Sequence, residues 1–474
     1  MTAARPWWSV LGPALAAALL AAGTVVVAVS GALHFDGWQW AALAAAGLVS
    51  LVIAAPAHLT AARAWRRPAS PTVLASAAAL AAFAWAAVSV LDGLERTSLA
   101  AAAVPGALLT ISETARRQAR LSPAESESRP FSVLVAVAVV TSAVWVVLRG
   151  IDDGVVVAVA AAVGLAGAGH VVAPGAALLA GRRRAAPLGV RLESLRAAQR
   201  AALIDTVVLD QDGTVTTGRL RVTSVKPLEP DHERNLRWFA GALSHAGDHP
   251  ISQAIAQLSA RGHVAEVQHV DGRGVLGSVD RHPVRVGSPA WLGAPAEESL
   301  WRTVAVEVDS RVLGTLEVAD DIREKAPESV RRLRDLGLDV HLVSASRPDR
   351  AEHVALTVGL TEAHHGSAAD LVQQLAAEGR SVAVASSTSV DGALPLSTTA
   401  GHDGIVLDDL DVRRVGQALE TARTVTAGVA RGRTVATIGT VVGVAVAAAG
   451  LAGPDLTAGV AALSTAAAAF AATR

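Results

Sequence analysis

Seven stretches of this chain are almost uninterrupted apolar runs long enough to cross a bilayer: 8–31, 39–60, 72–92, 131–149, 154–181, 434–452 and 455–472. A shorter run at 98–112 contains Pro105 and ends on an arginine cluster; with it the reading is eight spans, grouped four, two and two. The first run is read as a span rather than a signal peptide, because it is long and lacks a clear cleavage site. From about 185 to 430 the pattern changes. Short apolar runs alternate there with polar segments of helical period, which predicts an α/β insert. Val207–Leu209, Val340–Val343 and Val382–Ala385 read as buried parallel strands, and Val330–Leu336 and Ala369–Ala377 as helices between them. The section 222–315, with strand candidates His282–Val286 and Thr303–Val308, reads as a second small domain inserted after the first strand unit.

Composition agrees with a chain partly in lipid. Hydrophobic residues make up 51%, charged residues 18%, and mean hydropathy is +0.41 over 474 residues. A net charge of −1 gives no reason to expect a nucleic-acid partner. Cysteine is absent, which excludes disulfides and thiolate metal sites. Lysine occurs only at Lys226 and Lys325, so arginine carries nearly all the positive charge. Arginines cluster at Arg63, Arg66 and Arg67, at Arg116, Arg117 and Arg120, at Arg182–Arg184, and at Arg431 and Arg433. Every cluster follows an even number of spans, whereas the opposite loops carry chiefly Arg96 and Arg149. Both termini and the insert are therefore expected in the cytoplasm, and the chain in the plasma membrane as a multi-pass protein. Trp7, Trp8, Trp38 and Trp40 suit an interfacial belt.

The chemistry concentrates in V-V-L-D-Q-D-G-T-V-T-T-G at Val207–Gly218. An apolar strand ends on Asp210 and a Gly-Thr turn follows. This presents a carboxylate at the carboxyl edge of a sheet, where it can attack a phosphoryl group while Gly213 lets backbone approach the anion. Thr214 belongs to the same turn.

The stretch resembles the D-K-T-G-T-L-T phosphorylation signature of P-type ATPases, and the chain as a whole resembles their heavy-metal class. H-P-I-S-Q-A-I at His249–Ile255 is similar to that class's His-Pro motif, and G-R-G-V-L-G at Gly272–Gly277 to its G-x-G-V-x-G loop. A-D-D-I-R at Ala319–Arg323 matches its hinge, V-A-V-A-S-S-T-S-V-D-G-A at Val382–Ala393 aligns with V-A-M-V-G-D-G-I-N-D-A-P, and the C-terminus echoes its last span. The resemblance implies four spans over 1–112, a loop at 113–130, two spans over 131–184, and two more over 431–474. It further implies a haloacid-dehalogenase-like phosphorylation domain (185–221 and 316–430) with an inserted nucleotide-binding-type domain (222–315). ATP and Mg²⁺ would be the cofactors. His249, Pro250, Gly272, Gly274 and Gly277 would contact the nucleotide, and Asp210 and Asp391 would hold the metal. The bilayer is the first partner; a nucleotide and another membrane protein are the others this reading admits.

The departures matter as much. The family's actuator domain should lie between spans four and five, but Glu113–Pro130 is too short to hold it. The C-P-C ligands of the sixth span would fall near Leu165–Gly169, where the sequence is L-A-G-A-G, followed by His170. That histidine is read as a polar residue in a helix contact. The T-G-D strand end is Ser344–Ser346, where Ser344 keeps only a hydroxyl. The family's lysine aligns near Ala368, its metal-binding aspartate at Ser387 and its asparagine at Val390, leaving Asp391. Its glutamate before His-Pro aligns near Ser244. Lysine and threonine of the signature are Gln211 and Asp212, and D-x-D-G-T is the pattern of haloacid-dehalogenase-like phosphatases, whose second aspartate is a general acid and base. His245, Asp248, His364 and His365 are expected on surface loops, and Asp320, Asp321 and Arg323 as hinge contacts. Three functions follow. The first is a P-type cation-transporting ATPase homologue that has become a pseudoenzyme with residual ATP binding. The second is a membrane-anchored phosphohydrolase using Asp210 and Asp212. The third is a working cation pump with an unusual cycle.

Overall fold

A computed structural model describes residues 7–66, 70–93, 98–121, 132–295, 299–399 and 403–474, without the side chains of 7–10. Arg67, Arg96 and most of the segment 113–130 beyond Leu121 lie outside the described residues. The chain divides into two units, 1–202 with 419–474, and 203–418.

The first unit is helical: α1 (Trp7–Val29), α2 (Trp38–Gly47), α3 (Ala55–Arg63), α4 (Pro71–Leu91), α5 (Leu99–Ala119), α6 (Ser132–Arg149), α7 (Ile151–Gly164) and α8 (Ala168–Ala185). A short strand β1 (Val190–Leu192) and helix α9 (Leu195–Ala202) follow, and the helices Val412–Ala448 and Pro454–Thr473 close the chain. Among the described residues, six helices are long and apolar enough to cross a membrane, or seven if a bent pair counts as one span. That pair differs from the single run expected at 39–60. Trp38–Ile53 and Ala55–Arg63 meet at 48°, with a π-helical stretch over Leu48–Ile53 and Pro56 in the first turn of α3. The break frees backbone groups inside the bundle, and His58 serves one of them: its Nε2 lies 2.7 Å from the Ser50 carbonyl, its Nδ1 2.7 Å from Ser76 Oγ. The run at 98–112 forms α5, which passes the length test but is too polar to be among the six. It is buried by other helices along most of its length, and the backbone N–H of Ala101 donates to Asp455 at 2.7 Å.

The expected span 154–181 is two helices, interrupted at Leu165–Gly167 with Gly167 left-handed at φ 45°. The interruption is closed by backbone contact. A Cβ on Gly164 would lie 2.9 Å from the Gly443 carbonyl carbon, and one on Gly169 3.0 Å from the Ala436 side chain. Small residues here let helices touch, as in membrane bundles generally.

The second unit has two lobes. In the first, β13 (Ile405–Leu407), β12 (Leu394–Ser397), β11 (Val382–Ala385), β2 (Thr206–Asp210), β9 (Asp339–Ser344) and β10 (Ala363–His365) are parallel neighbours in that order. Helices α13 (Ala326–Asp335), α14 (Pro348–Thr357) and α15 (Ala368–Ala377) connect them. Val207, Val208 and Leu209 are fully buried, as the continuous apolar run requires of a central parallel strand. The other lobe is an antiparallel sheet in the order β3 (Thr216–Pro227), β8 (Arg311–Ile322), β7 (Arg302–Val308), β6 (His282–Gly287), β5 (Gly274–Val279) and β4 (Val264–Val270). Its helices are α10 (Glu233–Ser244), α11 (Pro250–Ala256) and α12 (Pro289–Leu292). Leu236, Leu243, Ile255 and Leu316 fill its core. The boundaries expected at 221–222 and 315–316 fall within β3 and β8, which run unbroken across them as paired strands. His364 and His365 stand in the edge strand β10, not in a loop.

Candidate functional site

Asp210 ends β2 between β11 and β9, where successive connections leave to opposite sides of the sheet. A crevice forms at such a switch point. The chain then turns through Gln211–Val215, with Gly213 at φ 77° and nothing within 4 Å of the Cβ it lacks. Thr216 Oγ1 closes the turn, donating to the Gln211 carbonyl at 3.0 Å and accepting from Gly213 N at 3.2 Å. Arg323 clamps it from β8's end, donating from Nη2 to the Gly213 carbonyl at 2.9 Å and from Nε to that of Thr216 at 3.0 Å. Asp320 is buried and accepts from Thr217 Oγ1 at 2.8 Å and Gly218 N at 3.0 Å, and Asp321 pairs with Arg221. The three hinge residues hold structure in the way their sequence suggests.

Burial pushes the Asp210 carboxyl above the usual carboxylate range. The Ser386 hydroxyl opposes this, donating to Oδ2 at 3.1 Å; the neighbouring Asp212 carboxylate adds to the rise, and the N–H groups of Asp212 and Gln211 counter it. No described lysine or arginine pairs with Asp210. Lys226 is bound to Glu317 at 3.0 Å on the antiparallel lobe, and Lys325 stands at the start of α13. Ala368 begins α15. Ser344 is buried, and its Oγ accepts from Ser346 N at 3.0 Å. Gln211 and Thr214 are also buried; Gln211 Oε1 and Thr214 Oγ1 lack a hydrogen-bond partner. Asp212 is exposed, as are Ser387 and Asp391 in the turns beyond β11.

Asp210 would be the carboxylate holding Mg²⁺ at this sheet edge, an ion that takes one or two carboxylates together with substrate phosphates. Among the described residues no three His, Cys, Asp or Glu side chains are placed to hold a metal, and Asp391 makes no described contact with Asp210.

The antiparallel lobe has a cavity of about 500 Å³ lined by His249, Gly272, Gly274, Ser288, Arg302 and others. His249 caps α11, its Nδ1 accepting from Ile251 N at 3.2 Å, which leaves Nε2 for a ligand. Gly274 is required: at φ 155° its Cβ would fall 2.2 Å from the Val286 carbonyl oxygen. Gly277 instead packs under Leu243, and Pro250 lines the larger neighbouring cleft. That cleft, about 1380 Å³, lies between the lobes and is lined by Asp212, Ser346, Arg347, Arg350, Trp301 and Arg302 among others. Sequence reasoning missed Ser386, Thr216, Trp301, Arg302 and Arg350. Ser386 could have been found from its place one residue before the aligned aspartate position and Thr216 from its place as the last threonine of the signature; Trp301, Arg302 and Arg350 carry no motif.

Comparison with known proteins places these features in context. The profile of the haloacid dehalogenase-like hydrolases matches residues 204–378. A copper-exporting P-type ATPase of Mycobacterium tuberculosis is 31% identical over 277 residues, 55% of this chain and 36% of that protein. The cation-transporting P-type ATPase B of Mycobacterium bovis is 32% identical over 283 residues, 52% of this chain and 38% of its own length. The chain thus spans little more than a third of the curated relatives it matches. The crystal structure of a zinc-transporting PIB-type ATPase superposes with a TM-score of 0.73 at 16% identity, covering 98% of this chain and 99% of that one, which establishes a shared fold.

Proposed function

We propose that this chain, a member of the heavy-metal class of P-type ATPases, is a membrane pseudoenzyme that binds nucleotide weakly and has lost phosphoryl transfer and transport. One observation carries the reading: Asp210 is buried beside a serine hydroxyl, with no described cationic side chain in contact. A carboxylate nucleophile facing phosphate needs its charge and the phosphate's charge neutralised. Each such electrostatic group is worth about 10²–10³ in rate. The close contact of Gly164 with Gly443, beside Leu165–Gly169 where the resemblance would put the family's ligands, supports the loss of transport. The cavity around His249 and Gly274 supports retained nucleotide binding. Arginine clustering supports a cytoplasmic insert, and the plasma membrane is the membrane this reading assigns.

The test is incubation of the purified protein with γ-labelled ATP and Mg²⁺ beside an Asp210→Asn control. The expected result is ATP binding without an acid-stable, hydroxylamine-labile phosphoprotein. Label that disappears in Asp210→Asn would overturn the pseudoenzyme reading, and ATP-dependent metal uptake into vesicles would favour a working pump.

A second reading is a phosphohydrolase, favoured by the exposure of Asp212 on the cleft wall one residue beyond Gln211. Asp212 would protonate the leaving oxygen and later activate water. A panel of phosphate esters showing no Asp210-dependent hydrolysis would remove it.

A further inference from the structure

Two guanidinium groups face the cleft between the lobes, and neither has a role in the site around Asp210. Arg302 begins β7 on the antiparallel lobe, and Arg350 lies in the first turn of α14 on the parallel lobe. Neither forms an ion pair with a described residue. Arg350 Nε is buried without a hydrogen-bond partner, and its guanidinium sits 5.3 Å from the centre of the Trp301 ring. Trp301 in turn meets His353 edge-on at 5.7 Å. Arg350 is thereby held against the flat face of Trp301 with no described carboxylate on its guanidinium, which leaves that charge for an anion in the cleft.

The other charges on the cleft are already engaged, with one exception. Arg347 pairs with Asp349, and Asp320 accepts from Thr217 and Gly218. Asp212 is the remaining carboxylate. His249, Ile251, Arg302 and Thr303 line both the cleft and the smaller cavity, so the two spaces adjoin along one wall.

We propose that Arg302 and Arg350, one from each lobe, form a phosphate clamp that takes the polyphosphate tail of a nucleotide whose base lies in the smaller cavity. The proposal rests on the nucleotide-binding reading above and names the residues that replace the missing lysine as a source of positive charge. Planar guanidinium groups pair with phosphate oxygens through two parallel hydrogen bonds, and aromatic stacking fixes one of them in advance. The wall beyond Arg350 is Ser346 and Asp212; Asp210 is not among the cleft's lining residues. A tail held there is bound without being presented to Asp210.

The experiment is calorimetric titration of the full chain in detergent with ATP, adenosine and inorganic tripolyphosphate. ATP should bind more tightly than adenosine. Arg302→Ala and Arg350→Ala should each weaken ATP about 10–100-fold, and Arg350→Ala, which lies outside the smaller cavity, should leave adenosine affinity unchanged. Arg350→Lys should recover part of the loss, and unchanged thermal unfolding of that variant controls for folding. ATP binding that neither alanine variant weakens would overturn the clamp and leave the nucleotide reading standing. Tripolyphosphate binding that depends on both arginines, without adenosine binding, would keep the clamp and remove the nucleotide reading. Binding of none of the three removes both.

Discussion

Asp210 is held in a folded site that favours its neutral form. Burial and the Asp212 carboxylate together outweigh the hydrogen bonds from Ser386 and the backbone. A raised folded pKa means that the group's contribution to stability is complete below the ordinary carboxylate pKa and is lost as pH rises through the raised value. Asp210→Asn should therefore stabilise the protein at neutral pH, and the gain should vanish in acid. The unfolding midpoint of Asp210→Asn should lie above that of the parent chain at pH 7.5 and meet it in acid. Thermal unfolding of both proteins across a pH series checks the sign; a gain that grows as pH falls would contradict it. Asp210 itself is legible in the sequence because an apolar run, a D-x-D pattern and a Gly-Thr turn coincide within a few residues. Ser386 is not, because its approach to Asp210 depends on β11 pairing with β2 across a sequence separation of 176 residues. Arg350 is equally hidden, since its stacking on Trp301 joins two lobes that no local pattern relates.

At the scale of elements, two glycines show how differently one residue type can constrain a fold. Gly213 turns the chain after β2 at φ 77° with open space around it, so Gly213→Ala should cost only the conformational strain, about 1 kcal/mol. Gly274 lies where β5 passes β6, and a Cβ there would collide with the Val286 and Gly287 backbone. Gly274→Ala should cost about 2–3 kcal/mol and weaken nucleotide binding with it. Chemical denaturation of the two variants side by side tests the contrast, and equal losses would show that the strands yield at Gly274. The five strands and two helices that the sequence pattern names in the insert are all present, among others it does not name. β2, β9 and β11 sit on apolar runs, while α13 and α15 sit on helical spacing. The breaks in the membrane helices do not follow. A hydropathy run records how apolar a segment is and carries no sign of the π-helical stretch before Ala54 or of the interruption at Leu165–Gly167. Those depend on how neighbouring helices fill the freed space, as His58 does with Ser50.

For the molecule as a whole, the close approach at Gly164 makes a prediction about the membrane unit. Gly164→Val would force side-chain atoms into the Gly443 backbone, so it should destabilise helix packing by about 1–3 kcal/mol. In a pump that alternates between conformations, the same pair of helices would have to separate and close again around an ion. In a chain that has lost transport, the contact is permanent. Disulfide cross-linking can tell these apart, because the natural sequence contains no cysteine to interfere. A Leu165→Cys, Val444→Cys pair, replacing side chains of one buried cluster beside that contact, should cross-link to the same extent with or without ATP and metal. A cross-link yield that changes with ATP would indicate a moving helix pair and would favour the working pump. The cysteine-free background also gives the orientation. Ser387→Cys on the insert should react with an impermeant thiol reagent only from the cytoplasmic face of the plasma membrane, and Asp152→Cys at the start of α7 only from the opposite face. Arginine clusters after every even span predict that asymmetry. The two labelling sites share one background, so a reversal at both would invert the whole topology. A change at only one would place an uncounted crossing between Asp152 and Ser387, the interval in which α7 and α8 are interrupted.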